Sequence, residues 1–321
     1  MARVTTGARV HVGFCNLSLA HERLYGGIGV ALEAPRTVVR ADPADAVTCE
    51  DDDARAYAET ACDLLGVEGA EVTVEESLGR HVGLGSGTQL ALATLAAVAT
   101  AHDREPRARE RAPALGRGGR SGVGVAAFEA GGTVLDAGHP TGRFTADEPA
   151  AGEWEVPPVA ARHDTPADWR FVLVRPEAAA GRHGAEEERS IRRAVGAADP
   201  EPADRIAGVV LRRLLPAVAG GDHERFGAAV QEVGRLNGAW YVGEQGGVYR
   251  PPAGDIVEAL AGDAAIAGAG QSSWGPTVFG VTDAGRADAA RRAGERALDA
   301  AGVDGDVLVA APRNRGASVE N

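Results

Sequence analysis

The period-two stretch "EVTVEES" at 71–77 runs through the loop "LGRHVGLGSGTQ" straight into the Ala/Leu-rich segment "LALATLAAVATA". That order constrains the fold more than anything else in the chain. The alternation predicts a strand with one buried face, and the segment after the loop predicts a helix ending near residue 101. The glycines between them let the backbone turn with positive φ and approach a ligand closely. A helix start at that point presents unpaired N–H groups and the positive end of its dipole, which suits an anion and phosphate above all. Two readings fit these residues. Gly83, Gly85, Ser86, Gly87 and Thr88 form a phosphate nest, or Ser86 or Thr88 caps a helix after a tight turn. The loop is not GxxxxGK[ST], and a GxGxxG beginning at Gly83 fails at Thr88.

The recipe is repeated. "LGRGGRSGVG" at 115–124 combines Gly118, Gly119 and Ser121 with Arg117 and Arg120, whose guanidinium forks clamp phosphate or carboxylate; its bland alternative is a solvated turn. "GAGQSSWGPTVFG" at 268–280 sets Gly268, Gly270, Gln271, Ser272, Ser273 and Trp274 before an apolar strand. Such a run suits a wall along which a ligand passes with Trp274 stacked on a ring, or equally a packing turn with Trp274 in the core.

Around these loops the pattern predicts strands in "ARVHVGF", "RTVVRA", "TVLDAG", "WRFVLVRP" and "DVLVAA", with "YGGIGVALE" read as a Gly-rich turn. It predicts helices near 53–66, 88–101, 186–195, 205–219, 223–237 and 284–302. The Pro-, Ala- and acid-rich stretch 139–168 has no sustained periodicity and is the expected junction between two domains, 1–150 and 151–321. Strands and helices mix in both halves, so the expected class is α+β.

Composition removes chemistry. The 321 residues hold 46 acidic and 33 basic groups, net −13, and every basic residue is Arg. Without lysine there is no P-loop lysine, Schiff base or lysine general base. So acidic a surface repels nucleic acid and anionic lipid, and anionic substrates must be caught in local pockets. Acidic excess without lysine also fits a salt-adapted protein. No apolar run has membrane-spanning length, and the N-terminal residues lack a signal h-region, so the expected location is the cytoplasm. Cys15, Cys49 and Cys62 are widely spaced and read as reduced packing thiols.

Taken together, "RVHVGFCNL", "YGGIGVALEAP", "HVGLGSGTQLALA", "GRGGRSGVGVAAFEAGGTVLDAGH", "DWRFVLVRP" and "GQSSWGPTVFG" closely resemble the β-ribofuranosylaminobenzene 5′-phosphate synthases, a branch of the GHMP kinase superfamily. The blocks run in order from about residue 9 to 280. The resemblance implies a two-domain GHMP-kinase-like fold, with an N-terminal ribosomal-protein-like αβ domain and a C-terminal ferredoxin-like αβ sandwich. It implies a reaction joining phosphoribosyl pyrophosphate to 4-hydroxybenzoate or 4-aminobenzoate with release of CO₂ and pyrophosphate, as in methanopterin-type cofactor synthesis, with Mg²⁺ and in a possible homodimer. Asp136, His139 and His11 stand at strand ends in these blocks and are the candidates for proton transfer, although an isolated His is often structural. Glu186 and Glu187 with Ser86 are candidates for Mg²⁺; a solvated helix start is the plain alternative for the two acids. Two departures are visible. Arg120 stands where synthase-like sequences tend to have a small residue, and the Asp/Lys pair of many superfamily kinases is absent. The competing readings are an ATP-dependent small-molecule kinase and a binding protein that keeps the fold.

Overall fold

The computed structural model describes residues 1–142, 153–178 and 184–320, with side chains from residue 188 in the last of these. β1 (Ala2–Asn16) and β2 (Arg23–Pro43) form a long antiparallel pair whose register shifts between Gly7 and Arg9 and again between His11 and Gly13. β3 (Ala70–Glu76), β4 (Thr133–Asp136) and β5 (His139–Pro140) all pair with β2, and β6 (Val159–His163) extends the sheet from β4. β7 (Trp169–Pro176), β8 (Gly268–Gln271), β9 (Val278–Asp283) and β10 (Gly305–Ala310) build a second, antiparallel sheet in the order β10-β7-β9-β8. β11 (Ser318–Glu320) returns to the free edge of β1.

The first half carries α1 (Asp52–Leu65), α2 (Ser86–Ala101), the single turn α3 (Ala108–Arg111) and α4 (Val123–Glu129). The second half carries α5 (Gly184–Ala197), α6 (Glu201–Val209), α7 (Leu215–Gly220), α8 (His223–Trp240), α9 (Val242–Gln245), α10 (Ala253–Ala261) and α11 (Ala287–Ala301). A π-helical turn at Val210–Leu214 joins α6 to α7. The local rules are visible in α1: the Asp51 side chain accepts from the Ala54 N–H at the start, and Gly66 in the left-handed region ends it. Ala54, Ala58, Ala61 and Cys62, at helical spacing, form its buried stripe.

Alternation on β7 joins the halves. Trp169, Phe171 and Leu173 enter one core with Val10, Val12, Ile28 and Val30 of the first sheet and Phe226, Val230 and Val233 of α8. Val172 and Val174, on the opposite face, pack with Ile256, Leu260 and Ala293 under α10 and α11. Burying each large side chain contributes about 1.5–3 kcal/mol. The two sheets are therefore fastened through a shared core.

Two expectations need correction. "YGGIGVALE" is not a turn but the middle of β2. Gly27 and Gly29 are there because added Cβ atoms would lie 2.1 Å from the Ser121 Oγ and 2.5 Å from a Val123 methyl, so glycine lets the start of α4 press on the strand. The unpatterned stretch 139–168 holds β5 and β6, short strands whose partners lie far away in sequence. A division near residue 150 is proposed, and strand pairing bears on where it would run: β6 and β11 pair within the first sheet, whereas β7 begins the second.

Candidate active site

α2 begins at Gly85, whose φ of 85° is left-handed, and no side chain caps its first turn. Neither Ser86 nor Thr88 acts as a cap, so the first N–H groups of a largely buried helix stay available to a ligand. The loop in front is braced from both sides. The Arg9 guanidinium donates to the Gly83 carbonyl at 2.6 Å, and the Arg9 N–H donates to the Leu84 carbonyl at 3.1 Å. From the second sheet, the Ser272 hydroxyl donates to the same Gly83 carbonyl at 2.7 Å and accepts from the His11 N–H at 3.0 Å. The backbones of Gly83 and Gly275 run so close that a Cβ on Gly275 would lie 2.3 Å from the Gly83 nitrogen.

The second loop ends in a buried polar relay. Asp136, 1% exposed, accepts from the Ser121 hydroxyl at 2.9 Å and from the N–H groups of Gly122 and Gly138 at 2.7 and 2.9 Å. His11 Nε2 lies 3.3 Å from the Ser121 oxygen, which also accepts from the Val123 N–H. Because the Ser121 proton is directed at Asp136, Nε2 must be the protonated ring nitrogen, which leaves Nδ1 as an acceptor. Burial raises the Asp136 pKa above the usual carboxylate range, against the pull of its N–H and hydroxyl donors. Burial, helped by the Arg9 charge, lowers His11 to about 3. His11 therefore stays neutral, and a proton reaching this chain rests more easily on Asp136.

Two cavities open on these loops, of about 330 and 240 Å³. The larger is lined by His11, Arg120 and Ser121 and by the rings of Phe14, Tyr241, Tyr249 and Trp274. The smaller is lined by the first loop with Thr37, Tyr57, Ser77, Asp51 and Asp53. Arg9, Thr88, Arg117, Ser273 and Trp274 line both, so the cavities meet along one groove. Arg117 is held there by Tyr57, whose hydroxyl accepts from it and over whose ring its guanidinium lies at 5.2 Å. The groove thus joins four arginines, Arg9, Arg80, Arg117 and Arg120, two loops rich in N–H donors and a set of aromatic rings.

The family model for the N-terminal domain of GHMP kinases matches residues 54–132, and that for the C-terminal domain matches 214–300. The β-ribofuranosylphenol 5′-phosphate synthase of Methanothermobacter thermautotrophicus is 33% identical over 98% of this chain and 97% of its own. That of Archaeoglobus fulgidus is 31% identical over 100% of both chains. The chain belongs to this synthase family. Among solved structures, a homoserine kinase from Cytophaga hutchinsonii superposes with a TM-score of 0.66 at 18% identity, covering 99% of this chain and 97% of its own. Mevalonate diphosphate decarboxylase from Staphylococcus aureus gives 0.65 at 12%, covering 100% and 99%. At such identities these two show the GHMP fold alone.

Within this synthase-family chain, the structure gathers many of the residues singled out from sequence and separates others. Gly83, Gly85, Ser86, Gly87 and Thr88 line the smaller cavity; Arg117, Gly118, Gly119, Arg120 and Ser121 line the larger. Gln271, Ser273 and Trp274 reach the groove. Ser272 is fully buried and acts as the brace already described. Gly268 and Gly270 lie in β8, away from both cavities; a Cβ on Gly268 would strike the Gly227 carbonyl of α8 at 2.0 Å, so this glycine serves sheet-on-helix packing. His139 is not brought to the groove either: it is buried in β5, edge-on to Tyr25 with ring centroids 6.4 Å apart. The side chains of Glu186 and Glu187 fall outside the described residues.

Sequence reading missed Arg9, Thr37, Asn237, Tyr241 and Tyr249. Arg9 carried a signal, since it stands two residues before His11 on a strand. The others did not: Asn237 marks its role only through space, where its side chain grips the Phe14 peptide, accepting from the N–H at 2.9 Å and donating to the carbonyl.

Proposed function

We propose that this chain condenses phosphoribosyl pyrophosphate with 4-hydroxybenzoate, giving a ribofuranosylphenol 5′-phosphate, CO₂ and pyrophosphate. Of the two acceptors considered from sequence, the phenol is favoured by the names of the family relatives. The observation that carries the reading is the groove itself, where two anion loops are bridged by Arg9 and Arg117 and meet a set of aromatic rings.

The C1′–oxygen bond breaks with its electron pair leaving on diphosphate, and the ring carbon bearing the carboxylate bonds to C1′. The electrons of the carboxylate bond then return to the ring as CO₂ departs. Arg9, Arg117 and the N–H groups at the start of α2 meet the departing charge without reorganising. The para hydroxyl drives attack by releasing electron density, which is greatest when its proton is withdrawn. In this reading the proton passes to His11 while the Nε2 proton moves through Ser121 to Asp136, and the relay returns it once aromaticity is restored. A neutral His11 reluctant to charge and a carboxyl of raised pKa suit transient storage.

Mg²⁺ belongs to the proposal with a limit. Among the described residues no three His, Cys, Asp or Glu side chains cluster to hold a metal. The ion would therefore take most of its ligands from the donor's phosphate oxygens, with Ser86 the candidate hydroxyl beside them, and no step above is routed through it. The kinase reading has no lysine to support it. The test supplies phosphoribosyl pyrophosphate and carboxyl-labelled 4-hydroxybenzoate to the purified protein with Mg²⁺ in high salt. Released label in step with pyrophosphate is expected; no release, with ATP-dependent phosphorylation of an alcohol, would overturn the proposal.

A further inference from the structure

Resting on that function, we propose that the two cavities divide the donor, with its diphosphate in the cavity lined by Thr37 and its 5′-phosphate against Arg120. Phosphoribosyl pyrophosphate carries its diphosphate on the α face of the ribose, whereas C5′ and its phosphate project from the β face. A β-riboside forms when the acceptor attacks C1′ from the β face, so ring and 5′-phosphate approach from one side and diphosphate leaves from the other. The larger cavity offers Phe14, Tyr241 and Tyr249 for the ring, and Arg120 of the second loop lines the same space. The 5′-phosphate therefore belongs with Arg120, and the diphosphate with the smaller cavity.

An independent observation lies in that smaller cavity. Thr37, at a paired position on β2 opposite Thr6, is 1% exposed and lines it, and its hydroxyl has no hydrogen-bond partner among the described residues. A buried hydroxyl is normally satisfied, so one left unmet in the wall of a cavity points to a ligand atom that completes it. Ser77, Ser86 and Thr88 add hydroxyls around the same space, and Asp53 is neutralised there by Arg80 at 2.7 Å. Arg9 and Arg117, which line both cavities, then stand where the bond to the leaving group breaks.

Inorganic pyrophosphate and ribose 5-phosphate are titrated separately into the intact protein by calorimetry, with Mg²⁺ present, and each variant is first checked by thermal melting. Thr37→Val should weaken pyrophosphate by about tenfold or more, as loss of one hydrogen bond to a charged group implies, and leave ribose 5-phosphate within about twofold. Arg120→Ala should do the reverse. If Thr37→Val melts early, Ser86→Ala carries the same expectation for pyrophosphate. Turnover of the labelled acid by Thr37→Val or Ser86→Ala alongside unchanged pyrophosphate affinity, or a loss confined to ribose 5-phosphate in either of them, overturns this division and leaves the function standing. No turnover and no binding of either probe overturns both.

Discussion

The hydroxyl of Ser272, in the second sheet's Gly-rich loop, donates to the carbonyl of Gly83 across 2.7 Å, and its oxygen accepts from the backbone of His11. One buried side chain thus joins the phosphate loop, the proton relay and the second half of the molecule. Ser272→Ala leaves the His11 N–H unmet while the Gly83 carbonyl keeps its bond from Arg9, so stability should fall by about 1–3 kcal/mol. The KM for phosphoribosyl pyrophosphate should rise as the loop loosens. Denaturant unfolding and steady-state kinetics measure the two effects, and an unchanged KM would show that Arg9 alone holds the loop.

Gly27 separates β2 from Ser121, and a Cβ there would fall 2.8 Å from the Asp136 carboxylate as well as on the serine oxygen. Gly27→Ala should push Ser121 off Asp136 and lower kcat by at least about a hundredfold, the scale of lost acid–base catalysis. Asp136→Asn should give a similar loss of kcat while the KM for the donor changes little. Label release at saturating substrates reads both.

The pH dependence of stability separates the relay members. With His11 at about 3 in the folded protein against 6.5 when unfolded, the unfolded chain binds the extra proton, so this residue's contribution is lost as pH falls from about 6.5 to 3. Asp136 acts oppositely: its folded pKa is raised, so its contribution is present below the ordinary value of 3.8 and lost as pH rises through the raised one. His11→Asn should flatten the acid-side slope by up to about 1.4 kcal/mol per pH unit, and Asp136→Asn should steepen it just above pH 3.8. Urea unfolding at stepped pH tests both signs.

Gln89 follows the phosphate loop directly yet faces inward: its carbonyl accepts from Thr6 at 2.6 Å and its amide donates to the Gly124 carbonyl at 2.9 Å. Gln89→Leu should lower stability by about 2–3 kcal/mol with little change in KM for the donor. A large KM effect at unchanged stability would place the side chain against the ligand instead.

What was legible in the sequence tracks with range. The strand, loop and helix from 71 to 101 could be read because alternation, glycine and apolar content act between neighbours. Arg117, Ser121 and Asp136 could be placed near a site because they share Gly-rich blocks. Thr37 and Asn237 could not: one is a hydroxyl among β-branched strand residues, the other a polar position on a helix, and each acquires meaning only from what is folded against it. Ser272 could not be resolved either, because a serine in a Gly-rich loop looks the same whether it faces a substrate or, as here, another backbone.

The glycine-to-glycine approach between residues 83 and 275 has a thermodynamic reading. An occupant of the anion loop binds a surface that exists only while both halves are docked, so its binding energy is linked to docking rather than to either half. Donor binding should therefore stabilise the whole molecule against melting rather than one half of it, so that the melting curve reports occupancy of the groove.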